Sequence, residues 1–484
     1  MKQRVFILGL DGADDGSVGA AVRSGMMPNL QRAVGGNWSP LRSTPLPITP
    51  AAWTAAFTGY NPGKTGVLTF QRRVPNSYRG RLVNSGDLGG AAFQTRIADA
   101  GKTMLCVGAP MTSPPPPIAR GVIIPGWDAS PGRPMVSDPR YLALLDRVGY
   151  RIEDEFSHEV GVLANAMDAR FSLMTELLQT HDWDCAMLYF GFIDGLGHRF
   201  GAGNDKTPQL LEHCDQRLGD LLQTVGDAAF IVCSDHGFGT FTRSFSVTQW
   251  LEANGYLTLR SRSFKSSNEG GVPGLEVMDL EDGVIDWDAS SAFCWEGVGR
   301  HAAIALNVKG EYPRGCVSPR DAYALAGEIA DRLRAQRDPK TRAKVVRDVK
   351  RREELFWGNH ASEFPELFVE LEFDTTAYVA KRKRVEGGFL LDDGIVHNGT
   401  FYSHFDDGIW GSSFAVASEQ LKVEDLAPTV YALLDLPIPS DCDGENRSTR
   451  SAVLTSVAAS AHESAYSSEE EEIVRKRLED LGYL

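Results

Sequence analysis

The sequence predicts an α/β protein built on a doubly wound, mostly parallel sheet held between helix layers. Short, continuous apolar runs recur at Val5–Leu10, Met104–Val107, 185–192 and 230–233. Helical patterns separate these runs, and acidic or imidazole side chains stand directly after several of them. A strand that is apolar throughout, rather than alternating, is one covered on both faces, and the intervening helices supply the cover.

Taken in order, Val5–Leu10 leads into a helix ending near residues 30–34, and Met104–Val107 follows a helical pattern at 94–100. The run 185–192 follows a long amphipathic stretch at 163–178, and 230–233 follows another at 210–225. Residues 304–308, a helix around 322–333 and Leu367–Leu371 repeat the alternation. Residues 1–250 and 300–445 are therefore expected to form one catalytic core around a single sheet. There is no internal repeat. Residues 113–134, rich in Pro and Gly with prolines throughout 114–117, read as an ordered surface loop. Residues 251–299, polar and Gly-containing from 260 onward, read either as an insertion near the site mouth or as an ordinary long connection. In the tail 446–484, Ser467 with Glu470 precedes Ile473, Val474, Leu478 and Leu481, a capping box opening a terminal helix that docks on the body for packing.

A chain of 484 residues, 42% hydrophobic, can bury a large core. Its formal charge of -15 argues against wrapping nucleic acid through the overall field. It leaves a small anionic substrate open, because a local metal cluster outweighs a distributed net charge. The seven cysteines form no CxxC pair, and several lie inside apolar runs, as expected of buried thiols in a reducing compartment. The apolar run Val5–Leu10 is too short for a signal peptide. No stretch approaches the roughly 18 apolar residues of a membrane span. A cytoplasmic location is the expectation, and the oligomeric state is not legible.

In doubly wound folds, chemistry collects at the carboxyl ends of strands. Asp11 directly follows Val5–Leu10, with Gly12 beside it. Asp194 follows 185–192, and His198 four residues later shares a helical face with it. Asp235 and His236 follow 230–233, with Gly237 expected to give a tight turn, and His404 stands ahead of Asp406, Asp407 and Gly408. An aspartate after a strand is by itself a helix cap, and Asp-His-Gly by itself a turn. Three carboxylates and three imidazoles on converging edges are instead a metal-site pattern, since zinc and its neighbours take such oxygen and nitrogen ligands. Among the remaining histidines, His360 and His397 are the first alternatives. Thr49, flanked by Pro47 and Pro50, opens a small-residue helix over 51–57. It reads as an N-cap, and also as a nucleophile, because a helix N-terminus favours a phosphoryl group. A cation on its hydroxyl would supply the alkoxide.

These motifs resemble the alkaline-phosphatase superfamily, specifically its type I phosphodiesterase/nucleotide pyrophosphatase branch. The resemblance rests on Leu8 to Gly12, Met27 to Leu30, the Thr49 to Gly59 segment with Asn61 to Lys64, and Asp194 to His198. It continues through Ser234 to Gly237, Asn307 to Gly310, His404 with Asp407 and Gly408, and Asp425 to Thr429, so it spans nearly the whole chain. It implies an alkaline-phosphatase-like fold and two divalent metal ions, zinc in most members and manganese in some branches. One ion would be held by Asp194, His198 and His404, the other by Asp11, Asp235, His236 and Thr49. Thr49 would attack phosphorus in line, forming a phospho-threonine that water hydrolyses.

Two positions depart from the family pattern. An Asn that contacts phosphate in nucleotide pyrophosphatases corresponds here to Phe70, and a Lys-His-Gly of many relatives is Lys64-Thr65-Gly66. Lys64 is a candidate substrate contact or a solvated loop lysine. The implied activity is phosphodiester or phosphoanhydride hydrolysis of a small phosphorylated substrate, a nucleotide among the candidates. Phosphomonoester or phosphonate hydrolysis on the same site is the alternative, and a catalytically silent metal-binding scaffold the remote one.

Overall fold

Successive residues of the central strands are buried on both faces. Val5, Ile7, Cys106, Met187 and Ile231 enter one core, while Phe6, Leu8, Leu105, Leu188 and Val232 enter another. This is the period of two expressed in a sheet with no solvent face. A computed structural model of the chain describes residues 3–89, 91–129, 136–260, 263–264, 285–378, 382–385, 388–391, 395–416, 420–456 and 466–481. Its main sheet has eight strands in the order Leu421–Lys422, Trp38–Arg42, Asp407–Ser412, Ala229–Cys233, Val5–Leu10, Cys185–Phe190, Met104–Val107 and Gly121–Ile124. All neighbours pair parallel except Asp407–Ser412, which runs antiparallel to both of its own. The helices Thr49–Thr58, Phe93–Asp99 and Leu426–Leu433 cover one face, and Pro28–Val34, Val160–Thr180 and Lys206–Val225 the other. The fold is the expected one, a mostly parallel central sheet between helices.

The structure redraws three features. The strand Gly121–Ile124 lies within the segment expected to be a loop and forms the sheet edge beside Met104–Val107. Its apolar stretch is too short to stand out against the flanking prolines. Residues 300–445 do not simply extend the main sheet, to which, among the described residues of that range, only Asp407–Ser412 and Leu421–Lys422 contribute. His301–Leu306 and Leu367–Leu371 join Ala292–Val298 and Val346–Arg351 in a separate antiparallel sheet of four strands. The cause is local: Val298 pairs with His301 across a tight turn in which Gly299 takes φ 54°, and a hairpin that short can only be antiparallel. The boundary drawn at 299 therefore cuts through a hairpin. The part of 251–299 comprising 261–262 and 265–284 lies outside the described residues. Among the described residues, no helix is long and apolar enough to cross a membrane.

A third, small sheet matters most for the site. Gly237–Ser246 pairs parallel with Thr375–Tyr378 and antiparallel with Val396–Phe405. One strand starts where His236 ends, and the other reaches its end just past His404.

Candidate active site

Asp11 leaves its strand on a turn in which Gly12 takes φ 69°. A Cβ at Gly12 would fall 2.9 Å from Asp194 Cβ, so glycine supplies both the left-handed turn and the room for Asp194. The run expected at 185–192 ends as a strand at Phe190, which places Asp194 in the first turn of the helix Phe192–Phe200. His198 follows one turn later, its Nε2 3.4 Å from Asp194 Oδ1. The small sheet sets His404 opposite Phe238, and the His236 and His404 rings stack with centroids 3.8 Å apart. Gly237 opens a strand rather than a tight turn. A side chain there would meet the Asp407 carbonyl oxygen at 2.6 Å and Asp14 at 2.9 Å.

Two donor clusters result. In the first, Asp194 Oδ1 lies 3.3 Å from His404 Nε2, and the Nε2 atoms of His198 and His404 face each other at 2.8 Å. His404 Nδ1 donates to the Pro47 carbonyl at 2.6 Å, leaving Nε2 with the lone pair. In the second, His236 Nδ1 donates to the Gly237 carbonyl at 3.1 Å, again freeing Nε2. That Nε2 lies 3.1 Å from Asp235 Oδ2, 3.6 Å from Asp11 Oδ1 and 3.4 Å from Thr49 Oγ1. Asp194 also lies within ligand range of Asp11 and His236, and so joins the two clusters. Asp11 Oδ1 and Asp235 Oδ2 are buried without a hydrogen bond, an arrangement that costs free energy unless a cation takes those oxygens. Buried carboxylates and neutral imidazole nitrogens aimed at common points fit a divalent cation.

Electrostatics separate the clusters. Burial raises the Asp11 carboxyl to about 7, with Asp194 adding to the rise. Burial and the charges of Asp11 and Asp194 push Asp235 well up, and burial pushes His236 well down into its neutral form. Burial also opposes ionisation of Asp194, but His198 and His404 outweigh it and hold its carboxyl below the usual range.

Thr49 is not a cap. The N-cap of its helix is Ile48, in extended conformation, and the helix begins with Thr49 itself, with no side-chain capping bond. The hydroxyl is therefore not spent on the backbone of its own helix and faces His236. Lys64 does not join the site. It lies beyond the other end of that helix, where its Nζ donates to Asp443 Oδ1 at 2.7 Å and to the Asp441 carbonyl at 2.5 Å. His360 also lies apart, hydrogen-bonded to Arg72 and Glu363, and His397 pairs with Ser244 within the small sheet. Phe70 lies near Thr49, lining one cavity with it, its ring 5.9 Å from that of Trp127.

Several positioning residues were not singled out in the sequence. Tyr189 and Trp53 donate to Asp11 Oδ2 at 2.6 and 2.9 Å, which fixes the carboxylate and leaves Oδ1 for the cluster. Ser234 accepts from the Ala13 amide at 3.1 Å and donates to the His236 carbonyl at 2.5 Å. Arg300 and His301, from the hairpin of the antiparallel sheet, hold Asp406, and Gly299 N–H donates to Ser403 Oγ at 2.9 Å. The second sheet thereby fixes the strand end that presents His404. A polar residue buried among apolar neighbours is the one signal that could have marked Tyr189 and Ser234.

A mostly parallel sheet with Asp/His clusters and a helix-borne threonine at its strand ends defines a hydrolase of the alkaline-phosphatase superfamily. The chain belongs to the type I phosphodiesterase/nucleotide pyrophosphatase family, whose sequence profile matches residues 5–395. It is an enzyme acting on phosphoric ester or anhydride bonds. Its structure is similar to phosphonoacetate hydrolase from Sinorhizobium meliloti 1021 in complex with phosphonoacetate, at TM-score 0.61 and 17% identity over 89% of this chain and 95% of that one. It is also similar to human ectonucleotide pyrophosphatase/phosphodiesterase 5, at TM-score 0.50 and 13% identity over 90% of this chain and 96% of that one. No curated relative matches by sequence.

Proposed function

We propose that the protein hydrolyses phosphodiesters or phosphoanhydrides of a small organic substrate through a covalent phospho-threonine at Thr49. The observation that carries this reading is the Thr49 hydroxyl, free of capping duty and 3.4 Å from His236 Nε2 at the edge of the Asp/His clusters. A phosphoryl group placed there meets the open N–H groups and positive end of the helix Thr49–Thr58. Asp194, His198 and His404 would hold one divalent cation, and Asp11, Asp235, His236 and Thr49 a second, zinc or manganese. Bound there, the pair would lower the hydroxyl pKa and neutralise charge developing on the phosphoryl oxygens. In-line attack from the His236 side sends the leaving oxygen toward Asp194, His198 and His404. The carbonyls of Pro47 and Gly237 keep both imidazoles in the required tautomer throughout.

The surroundings of Thr49 favour an ester with an organic substituent. Phe70, Trp127, Val474 and Leu478 make its neighbouring cavity largely apolar, a poor place for a second negative group. That weighs against a carboxylate-bearing phosphonate of the kind bound by the Sinorhizobium neighbour. The test is turnover of p-nitrophenyl mono- and diesters and of phosphonoacetate by chelated protein titrated with Zn²⁺ or Mn²⁺. Metal-restored activity highest on diesters is expected. Faster turnover of the monoester or the phosphonate would replace the diester reading.

A further inference from the structure

By sequence, the helix Ser468–Leu481 is a packing element; its inner face lies somewhere more specific. Val474 and Leu478, 3% and 2% exposed, wall a narrow, water-sized cavity bounded on other sides by Thr49, Phe70, Trp127 and Asp128. The helix is tied down around that cavity. The Leu82 amide donates to Glu471 Oε1 at 3.1 Å, the Arg477 guanidinium donates to the Ala129 carbonyl, and the Tyr466 hydroxyl, just before the helix, donates to the Asp128 carbonyl at 2.9 Å. The helix also passes against Phe192–Phe200, the helix that carries Asp194 and His198. It thus spans from the nucleophile side of the site to the metal-ligand side.

We propose that the C-terminal helix limits the size of the group a substrate carries beyond its phosphoryl centre, with Val474 and Leu478 as the deciding side chains. Resting on the phosphate-ester reading, the reasoning is geometric. Attack by Thr49 brings phosphorus to within roughly 3–3.5 Å of its hydroxyl, so the substituent that does not leave projects into space bordering that residue. The carboxylates and imidazoles occupy one side, and on the other the only volume bordering Thr49 among the described cavities is the one this helix closes. One methylene more or less in an apolar pocket changes selectivity by about 10- to 200-fold. Two aliphatic side chains on a terminal helix are therefore enough to define which esters enter.

The test uses metal-loaded full-length protein and two unreactive probes, methylphosphonate and phenylphosphonate, with affinities measured by calorimetry. In Leu478→Ala the preference for phenylphosphonate should rise at least about tenfold, and in Leu478→Phe it should fall. Val474→Ala gives a second enlargement should Leu478→Ala fail to fold, with circular dichroism melting as the check. An unchanged ratio in folded variants of both kinds overturns the proposal. A wild-type protein that binds neither probe nor inorganic phosphate overturns the phosphate-ester reading instead, and this inference with it.

Discussion

The two donor clusters share Asp194 but are balanced differently. In the first, one carboxylate faces two imidazoles, which hold Asp194 ionised against its burial. In the second, two buried carboxylates face a single imidazole driven neutral, and an oxygen of each carboxylate is left without a hydrogen bond. The first cluster keeps its carboxylate ionised without a cation, whereas the second favours protonated carboxyls until a cation takes their place. Thr49, the proposed nucleophile, stands at the second, where a bound cation has the most charge to neutralise.

This contrast breaks most sharply at Asp194. Asp194→Ala should empty the first cluster, weaken the second, and lower turnover by about 10⁴-fold or more, the scale of removing a catalytic group. Asp235→Ala should leave one metal equivalent in place. Elemental analysis distinguishes them, and two equivalents retained by Asp194→Ala would dissolve the shared-ligand picture. Removing the ions should come next in size. Ions present at about 100 times their dissociation constant each add about 2.7 kcal/mol, so chelation should lower the melting temperature visibly.

Metal-free protein should also lose stability as pH rises from about 6.5 through 7. The folded state holds protons on Asp11, raised to about 7, and on Asp235, which the unfolded chain has already released, so raising the pH favours unfolding. His236, depressed in the fold, acts in the opposite direction only below its unfolded value near 6.5. Asp128, Glu296 and Glu424 are also raised to about 7 but titrate with or without metal. The difference between metal-free and metal-loaded melting curves therefore isolates the cluster, and parallel curves across that window would refute it.

Smaller effects sharpen the comparison. Asp406→Asn weakens the grip of Arg300 and His301 on the strand end bearing His404, and should cost about 10- to 100-fold in metal affinity at the first cluster only. Tyr189→Phe removes one of two donors to Asp11 Oδ2, with Trp53 still in place, and should cost about tenfold at the second cluster only. Competition with a chromophoric chelator reads both.

The main sheet and the Asp and His residues gathered at its strand ends were legible because continuous apolar strands followed by Asp or Asp-His are local patterns. The second sheet was not, since His301–Leu306 and Leu367–Leu371 are as apolar as parallel strands, and it is the turn at Gly299 that makes the first of them antiparallel to Ala292–Val298. Lys64 misled because a lysine after a catalytic helix looks available until Asp443, nearly 400 residues on, folds against it. Asp194 bridging both clusters, the hold on Asp11 by Tyr189 and Trp53, and the terminal helix beside Thr49 are long-range outcomes of packing. No spacing in the chain encodes them.

The covalent role of Thr49 is the central claim, and rapid quenching of metal-loaded enzyme with a phosphodiester followed by peptide mass spectrometry tests it most directly. Phosphoester should appear on the peptide containing Thr49 within one turnover and be absent from Thr49→Ala, which should bind metal but lose about 10⁴–10⁶ of the rate. Near-wild-type turnover by Thr49→Ala, with no trapped phosphopeptide in the wild type, would contradict the account.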